Sequence, residues 1–174
     1  MFNFFSTKTK KYEEEIIASN ERFEKSTSAT NDAIWDWNME INLLYRGRGF
    51  RKLFGHEIPR KTYNSNVLQL IESSMHPEDA RGVVASLKKA IANAEIKNWE
   101  AEYRYKRADE TYAYVVNRCV LIRDKFGTAT RIVGAIQDIT ERKKQEESLK
   151  LLNKKLEAQT KELISSNEEL EQFA

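Results

Sequence analysis

Few residues in this chain have the chemistry for catalysis, metal binding or covalent attachment, and each of them has an ordinary structural use. The histidines are His56 and His76. His76 precedes Pro77, Glu78 and Asp79, an order that reads as a helix start. Proline is tolerated at the first helical position because its missing N–H had no partner there. The two acids then sit where the helix dipole favours negative charge. His76 therefore reads as a helix-start residue rather than a metal ligand. Cys119 is the only cysteine. One thiol builds neither a disulfide framework nor a zinc site, so a reducing, cytoplasmic setting fits. Asp36 and Asp138 are the carboxylates one would pair for acid–base work, yet no nucleophile, phosphate cradle or metal ligand accompanies them. Asp138 has a simpler use. Asp138-Ile139-Thr140-Glu141 fits a capping box, with Asp138 at a helix start and Glu141 three residues on. Arg46, Arg48, Arg51 and Lys52 form a basic cluster. Its default reading is solvated surface, with an anionic-ligand site as the alternative, and no nucleic-acid motif accompanies it. No catalytic or metal site is expected.

The elements that must position these residues follow from composition and periodicity. The chain has 174 residues, enough for one domain with appendages. Charged residues make up 32% and hydrophobic ones 40%, which implies a modest core and much solvated surface. A net charge of +2 exerts no general pull toward nucleic acid or membrane. No stretch approaches the roughly 20 apolar residues of a membrane span. Met1-Phe2-Asn3-Phe4-Phe5 is apolar but too short for a span or a signal-peptide core. It reads as a frayed end or a small docking patch, with the stub of a membrane-proximal segment as the rarer alternative.

Residues 1–28 are expected to hold an amphipathic helix, with Tyr12, Ile16 and Phe23 at helical spacing. So narrow a stripe needs a partner, either the following domain or a second copy of itself. Ser26 to Asn31 is a breaker cluster that ends it. Residues 29–138 form the expected globular core. Ala33 to Met39 alternates like a strand, and Leu43-Leu44-Tyr45 follows after a short turn, which predicts a hairpin. Phe50 to Gly55 predicts a short helix stopped by Gly55, and Val67 to Ser73 a second. The helix opened by Pro77 continues through Val83, Val84, Leu87, Ile91 and Ala94 on one apolar face. Three strands come next. Trp99, Ala101, Tyr103 and Tyr105 alternate with charged residues, one face packed and one wet. Tyr112 to Arg123 and Arg131 to Gln137 complete the meander, joined by turns at Asp109-Glu110 and Asp124 to Gly127. The sum is an α+β domain with a five-stranded antiparallel sheet.

Residues 139–174 contain no Gly or Pro. Leu149, Leu152, Leu156, Leu163, Leu170 and Phe173 fall on alternating three- and four-residue steps, with Gln159 and Ser166 in the two missing seam positions. This is a heptad pattern with two polar interruptions, which fix register while lowering stability. A helix of this length reaches roughly 50 Å and cannot bury its stripe on a domain of this size. A parallel partner helix, hence a homodimer, is the expected solution.

Trp35-Asp36-Trp37, Phe54-Gly55, His76-Pro77-Glu78-Asp79, Glu102-Tyr103-Arg104 and Gly134 to Arg142, in this order and with these strands between, resemble a PAS domain of the subtype whose last strands are called the PAC motif. The resemblance spans about residues 21–144. It implies a PAS fold with helices on one face of the sheet. It also implies a sensory, regulatory role in which Asp138, Thr140 and Glu141 couple the last strand to the output helix. PAS relatives often keep a cavity between sheet and helices. Trp35, Trp37, Tyr45, Phe50, Leu70, Tyr103 and Tyr105 are its candidate lining, though any of them also serves as plain core. An unidentified small ligand is possible there, and no cofactor is expected. The resemblance places a haem ligand within the long helix, where Ala80 to Ile96 has no histidine. It places a flavin-linking cysteine in an Asn-Cys-Arg-Phe motif, which Cys119 lacks. One departure stands out: the family often has Asp-Gly where this chain has Asp109-Glu110. Glycine adopts positive φ freely and glutamate does not, so that hairpin is expected to change its turn or carry slight strain.

Ser166-Asn167-Glu168-Glu169-Leu170-Glu171-Gln172-Phe173-Ala174 resembles the lead-in to the dimerisation and phosphotransfer helix of histidine kinases. In that family the phospho-accepting histidine lies a few residues further on. The expectation is a piece of a longer bacterial two-component sensor kinase, partnered with its kinase core and without catalysis of its own. A ligand-free dimerisation module and a PAS input to another effector, such as a diguanylate cyclase, remain the alternatives.

Overall fold

The computed structural model describes residues 10, 14–19, 22, 32–57, 59–63 and 66–172, with side chains described through Glu168. The chain divides into two units, residues 1–139 and 140–174. The first contains β1 (Ala33–Asn38), β2 (Leu43–Arg46), α1 (Gly49–Phe54), β3 (Lys61–Tyr63), α2 (Val67–Ser73), α3 (Pro77–Ala92), β4 (Asn98–Lys106), β5 (Tyr112–Arg123) and β6 (Ala129–Asp138). The second is one helix, α4 (Thr140–Gln172).

The strands form one antiparallel sheet in the order β3-β2-β1-β6-β5-β4. That is six strands where the sequence leads one to expect five. The addition is β3, three residues pairing with β2 at the sheet edge. Its side chains are largely exposed, so it carries no alternating apolar signal. Antiparallel partners project to the same side, and the registers define one packed face. Trp35, Leu44, Tyr103, Val115, Cys119, Ile132 and Ile136 join Phe50, Phe54, Val67, Val83 and Leu87 of the helices in one core.

The other face is not uniformly wet. Ile34, Asp36, Leu43, Tyr45 and Val116 point that way and are buried as well. β1 is therefore covered on both sides although its sequence alternates. Asp36 is neutralised in place by Arg131, whose Nε donates to Oδ1 at 2.9 Å and whose Nη2 donates to Oδ2. Asp138 has a different arginine, Arg107, at 2.8 Å, so each of these carboxylates is committed to its own ion pair. Ile16 is buried within the helical stretch 14–19, whereas Tyr12 and Phe23 lie outside the described residues.

Two glycines decide local geometry. Gly55 ends α1 at φ 75°, its N–H donating to Arg51 O at 2.9 Å, a left-handed helix stop that a side chain would strain. Gly134 faces Trp35 across the strands, and a Cβ there would sit 2.8 Å from the indole and 2.7 Å from Arg118 O. The missing side chain lets the indole lie against the sheet.

The Asp109-Glu110 hairpin keeps the turn that glycine would favour. Glu110 adopts φ 65°. Asp109 Oδ1 steadies the turn by accepting from Thr111 N–H at 3.0 Å and Thr111 Oγ1 at 2.6 Å. The slight strain expected of the sequence is thus present as a left-handed glutamate.

Candidate functional site

The helix-start motif and β4 meet. His76 caps α3, its Nδ1 accepting from Glu78 N–H at 3.3 Å, and its ring packs edge-on against Tyr112 at 4.8 Å. Asp79 reaches β4. Its Oδ2 accepts from Arg104 N–H and Nε, both at 2.9 Å, and its Oδ1 accepts from Arg104 Nη2 at 2.7 Å. The Arg104 guanidinium holds the Asp79 carboxyl below its ordinary range. Backbone bonds from His76 N–H to Arg104 O and from Lys106 N–H to Ser74 O, each 2.9 Å, complete the seam. Motifs 25 residues apart in sequence thus clamp the long helix to the sheet.

Between sheet and helices lies a cavity of about 40 Å³. Its wall includes Trp35, Phe50, Leu70, Tyr103 and Tyr105 from the sequence-derived set. Trp37 packs in the core away from it, and Tyr45 points to the opposite face of the sheet, where Arg60 Nη2 donates to its hydroxyl. Strand alternation separates Tyr45 from Leu44 and Arg46, so aromatic character alone misplaces it. A water needs about 10–15 Å³ of such space, so the cavity holds roughly three. That is far below the roughly 300 Å³ of pockets for drug-sized ligands.

Sequence reasoning missed three polar residues in this wall, Arg46, Ser74 and Asn117. Arg46 belongs to the basic cluster read as solvated surface, yet it is only 7% exposed. Burial lowers its pKa from the ordinary arginine value. It sits opposite Trp35 in the β1–β2 register, two residues from buried Leu44, so strand periodicity was the signal that located it. Asn117 is buried on β5 between Val115 and Cys119 on the packed face. Its Oδ1 accepts from Trp35 Nε1 at 2.9 Å and its Nδ2 donates to the Tyr103 hydroxyl at 3.1 Å. Burial raises the pKa of both Tyr103 and Tyr105, so both phenols stay protonated. It also pushes the Cys119 thiol up to about 12, which makes it a poor nucleophile.

Outside the cavity, Arg46, Arg48, Phe50, Arg51, His56, Glu57 and Arg60 line a surface cleft of about 540 Å³. Arg51 pairs with Glu57 at 2.8 Å. Arg46 and Phe50 wall both spaces.

At the strand-to-helix junction, Asp138 closes β6 on Arg107, and Ile139 N–H donates to Tyr114 O at 2.8 Å. Thr140 opens α4 and Glu141 lies in its first turn. Along α4, Leu149, Leu152, Leu156 and Leu163 are all more than half exposed, as are Leu151 and Ile164. The Leu170 side chain and Phe173 lie outside the described residues. No helix among the described residues is long and apolar enough to cross a membrane.

This architecture is an α+β module, and comparison with known proteins places it in a family. The PAS fold family model matches residues 44–136. The chain belongs to the PAS fold family. Among solved structures it is similar to a sensory box histidine kinase/response regulator from Burkholderia thailandensis, at 27% identity and a TM-score of 0.63, over 78% of this chain and 98% of that one. It is also similar to the N-terminal domain of a diguanylate cyclase with a PAS/PAC sensor from Marinobacter aquaeolei, at 24% identity and TM-score 0.54, over 64% and 97% of the two chains. A PAS domain from Colwellia psychrerythraea aligns at 18% identity and TM-score 0.53, over 70% and 97%. No curated protein sequence matches the chain.

Proposed function

We propose that this chain is the sensory input module of a two-component histidine kinase, that it acts as a homodimer in the cytoplasm, and that it does no catalysis itself. The observation that carries this reading is α4. Thirty-three residues of helix follow directly on the last strand and leave a heptad row of leucines exposed. An isolated helix so solvated is marginal in water unless an apolar face finds a partner. A second α4, packed in parallel through Leu149, Leu152, Leu156, Leu163, Leu170 and Phe173, supplies that partner. The 27% identity with a sensory box histidine kinase/response regulator supports a kinase as the effector. Asp138, Thr140 and Glu141 join the sheet to the helix, so a shift in β6 changes the angle or register of the pair. Coupling is then a population shift between two helix arrangements.

Sedimentation velocity tests the dimer, with a visible absorbance scan on the same sample. A colourless dimer that becomes monomeric when Leu156 and Leu163 are made polar is the expected result. Inserting one to four residues after Glu141 in a full-length parent tests the relay. Kinase output should follow helical phase, and output indifferent to phase sinks the rigid-coil mechanism. A second reading, a dimeriser without ligand, is favoured by the small size of the cavity.

A further inference from the structure

Arg46 is the charged group in the wall of the cavity, beside polar Ser74 and Asn117 and the Tyr103 and Tyr105 hydroxyls. Arg46 has five N–H donors and no acceptor of its own. Its Nη2 donates to Thr62 Oγ1 at 2.6 Å, while its buried Nε–H has no acceptor among the described residues. The buried Nε atoms of Arg107 and Arg123 are also without one among the described residues. Their terminal nitrogens are better served. They reach the Asp138 carboxylate and the carbonyls of Ala90, Ile91, Asn93, Ile96 and Gly127. Among the described residues no carboxylate pairs with Arg46, and burial lowers its pKa.

A second observation converges on the same space. The Trp35 indole has only a donor, so it fixes Asn117 with Oδ1 toward Trp35 and Nδ2 toward Tyr103. The Tyr103 hydroxyl therefore accepts from Asn117, and its own proton has no acceptor among the described residues. Tyr103 is 4% exposed and lines the cavity with Arg46. A cation without a carboxylate partner among the described residues and a hydroxyl proton thus border a void whose wall also holds Ser74, Asn117, Leu70, Ile71 and Leu87. Water would satisfy the protons but leave the buried charge uncompensated.

We propose that the cavity takes a short monocarboxylate of about acetate size, its oxygens on Arg46 and Tyr103 and its carbon end against the aliphatic wall. The basic cleft outside gathers the anion, and Phe50 and Arg46, which border both spaces, form the way in. This inference rests on the input-module reading and names the class of molecule sensed.

The test titrates acetate into the ¹⁵N-labelled chain and follows the Trp35 indole N–H by NMR. Chloride at equal ionic strength and neutral acetamide serve as controls. Acetate should shift the Trp35 signal saturably, with both controls at least about tenfold weaker. Arg46→Gln should weaken acetate by about tenfold or more, and Tyr103→Phe by a few-fold. Should Arg46→Gln not fold, the acetate–acetamide contrast and Tyr103→Phe decide. No saturable shift in the folded protein, or equal shifts from acetamide or chloride, overturns the proposal. So does full acetate affinity in folded Arg46→Gln. Sedimentation of the same samples keeps the two readings apart. A dimer indifferent to acetate sinks the ligand and leaves the input module, whereas a monomer that binds acetate sinks the coiled-coil relay and leaves the ligand.

Discussion

The core domain buries every large apolar side chain of β1 and β2, whereas α4 holds Leu149, Leu151, Leu152, Leu156, Leu163 and Ile164 more than half in solvent. The core locks charges in the same manner: Asp36 onto Arg131 and Asp79 onto Arg104. On α4 Arg142 pairs with Glu146 at 3.6 Å, both half exposed, where such pairs contribute little. The contrast teaches where order comes from. Core stability is intramolecular and does not depend on protein concentration. On the proposed reading, α4 owes its order to a partner, and concentration then governs it.

Substitutions can break or sharpen that contrast, and they rank by their effect on the core. Asp36→Ala should cost the most, about 3–5 kcal/mol, because it strands Arg131 beside a buried hole. Urea denaturation reads this, and a loss under about 1 kcal/mol would show that the pair contributes little. Asp79→Asn comes next, at about 2 kcal/mol, since three charge-assisted bonds to Arg104 weaken together. The pH dependence has a definite sign. The folded pKa of Asp79 lies below its ordinary 3.8, so its contribution is fully present above that value. It is lost as pH falls through the folded value. Asp79→Asn should therefore flatten the acid limb of a stability–pH curve and leave the neutral region merely lowered.

Glu110→Gly should act in the opposite direction and by less, stabilising the core by about 0.5 kcal/mol. It relieves a left-handed glutamate at φ 65° and gives up only an exposed pair with Lys106. A decrease in thermal midpoint would mean that the turn owes more to that pair than to backbone conformation. Leu156→Asn with Leu163→Asn should have the smallest effect on the core, within about 0.5 kcal/mol, while abolishing the proposed dimer and lowering helicity by circular dichroism. A shifted core transition would show that the two units are not energetically separate.

Much of the fold was legible because its signals are local. Gly55 stops α1, Pro77 opens α3, and the period of β4 and β5 follows from residues two apart. What was not legible depends on distant strands. β3 is three largely exposed residues ordered by pairing with β2. The burial of Asp36 depends on Arg131, 95 positions away, and no pattern within β1 announces it. Arg46 was misjudged because its cationic neighbours in sequence point into solvent while its own side chain follows Leu44 inward. Among the sequence-derived cavity residues, Trp35, Phe50, Leu70, Tyr103 and Tyr105 reach the wall, whereas Trp37 packs elsewhere in the core and Tyr45 lies on the opposite face.

The strand order has a consequence for synthesis. β6 lies between β1 and β5, and it pairs Ala33 with Ile136, partners roughly a hundred residues apart. The two halves of the sheet are thus joined only by the last strand to leave the ribosome. Until then β1 and β5 each present an open, unpaired edge. The same strand runs straight into α4, so a nascent chain closes its sheet just as α4 begins to emerge. In the proposed dimer, pairing between neighbouring chains on a polysome would then select copies whose sheet is already closed.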